Sequence, residues 1–144
     1  MREILFRGKR VDNGEWANGN YVEKIHYYDG SELPCIQVVM QKPSVADRFV
    51  PCFETELVEV IPETVGQFTG LTDKNRQKIF EGDILRDGKG CDGVVTYIES
   101  VACFMAVCDM NDAWGLNEGD PKRPPQLQYT EIIGNIHDNP ELLK

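Results

Sequence analysis

Apolar and polar residues alternate with a period of two through most of this chain, the pattern of strands buried on one face. Residues 2–11 read as the first strand, with Ile4 and Phe6 on one face and Leu5 on the other. Asn13-Gly14 then predicts a hairpin turn, because both residue types accept positive φ. Asn18-Gly19 follows too closely to be a second turn, so Gly19 is assigned to a bulge. Residues 21–28 form the next predicted strand, stopped by Asp29-Gly30. Residues 35–40 ("CIQVVM") and 48–53 are further candidates, separated by "QKPS".

The stretch "ETELVEVIPET" places Val58 and Val60 on one strand face and Leu57, Glu59 and Ile61 on the other. A half-exposed strand explains Glu54, Glu56 and Glu59 without an acidic site or a mimic of a nucleic-acid backbone. Pro62 ends it, since proline cannot donate to a ladder, and marks the boundary between a β-rich N-terminal lobe (1–62) and a second part (63–144). Beyond it, strands are predicted at 65–71, 77–80 and 83–86. A hairpin follows, built from "GVVTYIES" (93–100) and "ACFMAVCD" (102–109). The polar segment 117–125 is a loop, and 126–136 supplies the last strands, broken near Glu131. In "DNPELL", Asn139 as N-cap, Pro140 at the first helical position and Glu141 in the first turn predict a short C-terminal helix. The fold class is therefore mainly β.

Composition narrows the functions. With 41% hydrophobic residues the chain is too apolar to be disordered, and no apolar run approaches a membrane span. The N-terminus lacks the long apolar core of a signal peptide, so the expected address is the cytoplasm. The formal charge of −9 repels phosphate, which disfavours nucleic acid; Arg2, Arg7, Lys9 and Arg10 crowd together but are diluted by Glu3, Asp12 and Glu15. The five cysteines (35, 52, 91, 103, 108) form no CxxC pair, and their odd number argues against a disulfide framework. Cys103 and Cys108 read as small strand hydrophobes; a zinc site would have to gather Cys91, Cys103, Cys108 and a histidine from far apart. No cofactor and no metal are expected.

The densest motif is "GQFTGLTDKNRQKIFEGDIL", residues 66–85. As a calcium loop starting at Asp73 it fails, because Lys78 stands where the glycine is needed and Ile84 where the bidentate glutamate is needed. As a catalytic pair, Glu81 and Asp83 are separated by a turn-forming Gly82 and lack a neighbouring nucleophile or base. The remaining reading is a type I turn in which Asp73 caps the backbone ahead of it and Arg76 is left-handed. Alanine at 73 would then cost on the order of 1 kcal/mol. Asp73, Asn75, Glu81, Asp83, His137 and Asp138 make up the candidate interaction surface; His137, Asp138 and Asp83 would be the centre of any enzyme site assembled only in the fold.

"LFRGKRVDNGEWANGNYV" (5–22), "PETVGQFTGLTDKNRQKIFEGDIL" (62–85) and "EIIGNIHDNPELL" (131–143) together resemble the YopX family of phage and prophage proteins. The resemblance implies an SH3-like barrel in the C-terminal part after a mostly β N-terminal part, and it implies a phage origin. The family usually carries glycine where this chain has Arg76. It brings no established activity and no catalytic residues. The resulting expectation is a non-enzymatic cytoplasmic protein that self-associates or binds a host or phage protein, away from membranes. The alternatives are a nucleic-acid-associated or nucleic-acid-mimicking accessory protein and an enzyme.

Overall fold

The computed structural model describes residues 3–40, 54–108, 113–116 and 129–143, so the strand expected at 48–53 and the loop at 117–125 lie outside the described residues. The chain divides into two compact units, Ile4–Gly66 and Gln67–Lys144, the latter joined by Met1–Glu3. Every strand pairing described is antiparallel. No helix of the described residues is long and apolar enough to cross a membrane.

The N-terminal unit holds β1 (Phe6–Lys9), β2 (Trp16–His26), β3 (Glu32–Met40) and β4 (Glu54–Glu59), hydrogen-bonded in the order β4-β3-β2-β1. Gly14 in the β1–β2 turn and Gly30 in the β2–β3 turn both take positive φ, as their Asn-Gly and Asp-Gly signals predict. Alternation decides which face is buried. Ala17, Ile36, Val58 and Val60 form the core, with Phe6, Tyr21, Val38 and Val65 packed against them, while Leu57 on the opposite face is 53% exposed. Past the end of β4, Val60 bridges Arg10, and the Ile61 N–H donates to the Lys9 carbonyl at 2.8 Å. The 3-10 turn Pro62–Thr64 follows, and the Thr64 hydroxyl accepts the Lys9 N–H at 2.8 Å.

Gly19 is not in a bulge. It lies in regular register opposite Phe6, and the shift in β2 falls instead between Val22 and Ile25. What requires glycine there is proximity: a Cβ at position 19 would sit 2.0 Å from the Gln37 carbonyl oxygen.

The C-terminal unit holds β5 (Gly66–Thr72), β6 (Lys78–Phe80), β7 (Asp83–Arg86), β8 (Asp92–Ile98), β9 (Cys103–Val107), β10 (Ala113–Gly115) and β11 (Glu131–Asn135). β5 pairs with β6, and their Phe68 and Phe80 rings stand 5.5 Å apart. The other five form a sheet in the order β10-β9-β8-β7-β11. Ile79, Leu85, Val95, Phe104, Ala106 and Leu116 are its core, with Leu71, Trp114 and Ile132 packed against them.

Among the described residues the five-stranded sheet is open, with β10 and β11 as its edges. One expectation is corrected here. The C-terminal helix is a single 3-10 turn, Pro140–Leu143. The side chain of Asn139 explains part of this: its Oδ1 accepts the Asn135 N–H at 3.3 Å, behind it, instead of serving a helix ahead.

Candidate functional site

Asp73 is 5% exposed and organises the loop after β5. Its Oδ1 accepts the N–H groups of Asn75 (2.8 Å) and Gln77 (2.9 Å), and its Oδ2 accepts the N–H of Ile132 in β11 (3.2 Å). The Arg76 N–H donates to the Asp73 carbonyl and the Asp73 N–H to the Gln77 carbonyl, both at 2.9 Å. Arg76 takes φ 64°, the left-handed residue that the turn reading demands. Lys74 holds the same end of β11, donating its N–H to the Thr130 carbonyl and pairing its ammonium with Glu131. The loop is thus stitched to a strand some 59 positions away in sequence.

Glu81, Asp83, His137 and Asp138 belong to the other end of β11. Asn135 pairs with Asp83, and the Ile136 N–H donates to the Gly82 carbonyl at 2.9 Å, which brings the corner at 81–83 against the turn at 136–138. Asp83 is 2% exposed and its Oδ2 accepts the Phe80 N–H at 2.7 Å. The Asn135 side chain accepts the N–H groups of His137 (3.0 Å) and Asp138 (2.9 Å) and donates to the Asp138 carboxylate (2.8 Å). The six candidates therefore fall into two groups, separated by the length of β11, about 14 Å. Asp73 and Asp83, the two that looked most like chemistry, are buried acceptors of backbone N–H groups.

Left-handed φ recurs at Ala102 (φ 50°), which closes the β8–β9 hairpin after the 3-10 turn Glu99–Val101. Glycine at 76 or at 102 should relieve backbone strain while adding freedom to the unfolded chain. The expected net gain is about 0.5 kcal/mol at each site, read from urea unfolding midpoints. A clear loss of stability at either position would show that the side chain makes a contact worth more than the strain. Ala102 also rims a cleft of about 310 Å³ floored by Leu71, Phe104 and Leu116, with Gln67, Thr69, Tyr97 and Cys103 around it.

A cluster that the sequence reading did not assemble lies on the outward face of the N-terminal sheet. Cys35 pairs with Glu59 across β3–β4, and Tyr27 reaches over both from the β2–β3 turn. The Tyr27 hydroxyl is bonded to the Glu59 carboxylate and lies 3.9 Å from the Cys35 Sγ. The bond to Glu59 holds the phenol above its ordinary range, with desolvation and Cys35 adding to the effect. Burial likewise pushes the Cys35 thiol up. Because the folded-state phenol is raised above its unfolded value, its contribution is fully present below pH ~10 and is lost as pH rises through the raised value. Tyr27→Phe should therefore flatten the alkaline fall in stability and leave the neutral-to-acid limb unchanged in shape. An identical alkaline limb in the variant would refute the assignment. Leu57 stands next to Glu59 on the same face, and Tyr28 at the turn is fully exposed. The only local signal was a pair of tyrosines before Asp29-Gly30, with nothing to say that they reach β4.

Farther along that face, the Arg7 guanidinium stacks 4.6 Å from the Trp16 ring centroid and the Lys9 ammonium stands 5.6 Å from it. The stack engages two of the four basic residues of the N-terminal cluster.

The family model described as "YopX protein" matches residues 5–144. Among solved structures, the crystal structure of protein EF1440 from Enterococcus faecalis is similar in fold, with a TM-score of 0.57 and 22% identity over 100% of both chains. No curated protein matches the chain.

Proposed function

The chain belongs to the YopX family, and from that membership we propose that it is a phage- or prophage-encoded cytoplasmic protein that acts by binding another protein. The observation that carries this reading is the outer edge of β4. Among the described residues β4 ends its sheet up to Val58, beyond which the Glu59 carbonyl accepts the Val11 N–H at 3.1 Å, and Thr55, Glu56 and Leu57 are exposed along the remaining edge, beside the Tyr27–Glu59 pair. An unpaired strand edge is a template for an added strand, and Leu57 with Tyr27 supplies apolar contact next to it. Of the acidic residues along it, Glu56 lies 4.0 Å from the Arg10 guanidinium and Glu59 is bonded to Tyr27, and their remaining charge favours a basic extended segment as the added strand. A second copy of β4 would bring like charges together. Self-association would then use another surface. The spent carboxylates of Asp73 and Asp83 support a binding role over catalysis, since both are engaged by the backbone. The short strands and tight corners from β5 to β9 support kinship with SH3-like barrels, although a fold alone assigns no partner.

The test is affinity capture from phage-infected cells with the wild-type chain and with Leu57→Lys, alongside light scattering of both. The substitution should leave the far-UV spectrum unchanged and weaken capture of the partner at least about tenfold, as loss of an interface anchor does. An unchanged set of captured proteins would remove β4 as the docking edge. A turnover assay that responds to Asp83→Asn without unfolding would favour the enzyme reading instead.

A further inference from the structure

Cys91 and Cys108 are 17 positions apart in sequence, yet their sulfurs lie 3.1 Å from each other. Strand geometry explains the approach. Val95 pairs with Ala106 across β8–β9, so continuing the alternation puts Cys91, Gly93 and Cys108 on the same face as that buried pair. Extended by one step, the register sets Cys108 opposite Gly93, and Cys91 is its diagonal neighbour. Diagonal neighbours are normally too far apart for short side chains to touch. Here the residue between them has no side chain. A Cβ at Gly93 would stand 3.0 Å from the Ala106 Cβ and 3.4 Å from the Trp114 Nε1, so the position is closed to larger residues from the other side as well. The Cys91 backbone is fixed independently: the Asp87 carboxylate accepts the N–H groups of Lys89 and Cys91, each at 2.8 Å. Next to it, the Arg86 guanidinium grips the Asp92 carboxylate at 2.6 and 2.7 Å. Both thiols are half-buried, reachable by a small oxidant. Cys103, five residues before Cys108, falls on the opposite face of β9, so the three cysteines do not gather as a zinc site would require.

We propose that Cys91 and Cys108 form a reversible dithiol–disulfide couple, a site of oxidative modification that staples the open end of the β8–β9 hairpin. The oxidant is a low-molecular-weight disulfide of the glutathione type. One cysteine thiolate attacks a sulfur of that disulfide, forming a mixed disulfide and expelling one glutathione thiolate. The second cysteine, as thiolate, attacks the protein sulfur of the mixed disulfide, forming the Cys91–Cys108 bond and expelling the second. The two protein thiols give up two protons and two electrons, and the oxidant's S–S bond is reduced to two thiols. The sulfurs must close by about 1 Å to reach bonding distance. A thiolate so placed resolves the mixed disulfide far faster than an external thiol does, because the second step is intramolecular.

The reduced full-length chain is exposed to oxidised glutathione and followed by intact mass and by non-reducing peptide mapping. The expected product carries no glutathione on Cys91 or Cys108 and yields one linked peptide pair containing those two residues, whatever adduct the half-buried Cys103 keeps; reduction restores the starting mass. Cys91→Ser and Cys108→Ser should each accumulate a stable glutathione adduct on the remaining cysteine, whereas Cys103→Ser should oxidise like the wild type. A second readout needs no variant. Phenylarsine oxide, a trivalent arsenical that bridges two sulfurs, should bind one equivalent to the reduced wild type and protect Cys91 and Cys108 from alkylation together. The proposal is overturned if the wild type stops at glutathione adducts on Cys91 or Cys108, if the linked pair involves another cysteine or a second chain, or if the arsenical leaves either thiol open to alkylation.

Discussion

Asp73→Ala is expected to lower the unfolding free energy by about 3 kcal/mol, three times the cost that the turn motif alone suggests. The carboxylate accepts three backbone N–H groups, and bonds to a charged acceptor contribute about 1.5 kcal/mol or more apiece. Asn75 and Gln77 are exposed, so water replaces part of what their N–H groups lose. Ile132 is half-buried, and its N–H is left unserved where the loop meets β11. Asp73→Asn separates these contributions. It keeps one acceptor oxygen for Asn75 and Gln77 and turns an amide nitrogen toward Ile132, so roughly half the loss should remain. Urea unfolding gives the magnitudes, and amide exchange at Ile132 should quicken in both variants. If alanine costs less than about 1 kcal/mol and Ile132 exchange is unchanged, the carboxylate is not the hub described above.

Gly19→Ala should be of similar or larger effect, at least about 3 kcal/mol, by a different mechanism. The added Cβ meets the Gln37 carbonyl oxygen at 2.0 Å, the carbonyl carbon at 2.8 Å and the Ile36 Cγ2 at 2.9 Å. Two of those atoms are backbone in the neighbouring strand, so no rotamer change relieves the clash. β2 and β3 must separate instead, and the buried Ile36 moves with them. Gly14→Ala is the control. Its φ of 72° imposes left-handed strain, but an added Cβ there meets nothing within 4 Å, so the loss should stop near 1 kcal/mol. Equal losses at the two positions would mean that backbone strain, and not the close approach of β3, is what glycine serves at 19.

These two residues show how far the sequence could be read. At Asp73 the local pattern suffices: turn position, side-chain acceptor and left-handed Arg76 all follow from four adjacent residues. The third bond, to Ile132, could not be foreseen, because it depends on which strand lands beside the loop. At Gly19 the residue was singled out for the wrong reason. An isolated glycine in a strand signals either a bulge or a close approach, and only the position of Gln37 decides between them. The C-terminal turn failed in the same way. The cap signals around Asn139 were present, but the Asn139 side chain is engaged with Asn135 behind it.

The sequence by itself determined the elements. Period-two alternation located β1 and β3 to β9 to within a few residues wherever the structure describes them, whereas β2 was placed at 21–28 and begins at Trp16; Asn13-Gly14, Asp29-Gly30 and Pro62 punctuated the N-terminal unit. Val58 and Val60 inward with Leu57 outward followed from the same rule. Only the tertiary structure decided what those strands bring together: Asp73 with Ile132, Tyr27 with Glu59, Cys91 with Cys108, and the six candidate residues split between the two ends of β11. The reason is physical. Alternation and turn geometry are set by neighbours along the chain, where one residue constrains the next through φ, ψ and side-chain direction. Pairing partners, sheet order and closure depend on register between distant segments. Register is fixed by the summed packing of whole faces, and no single residue pair announces it in advance.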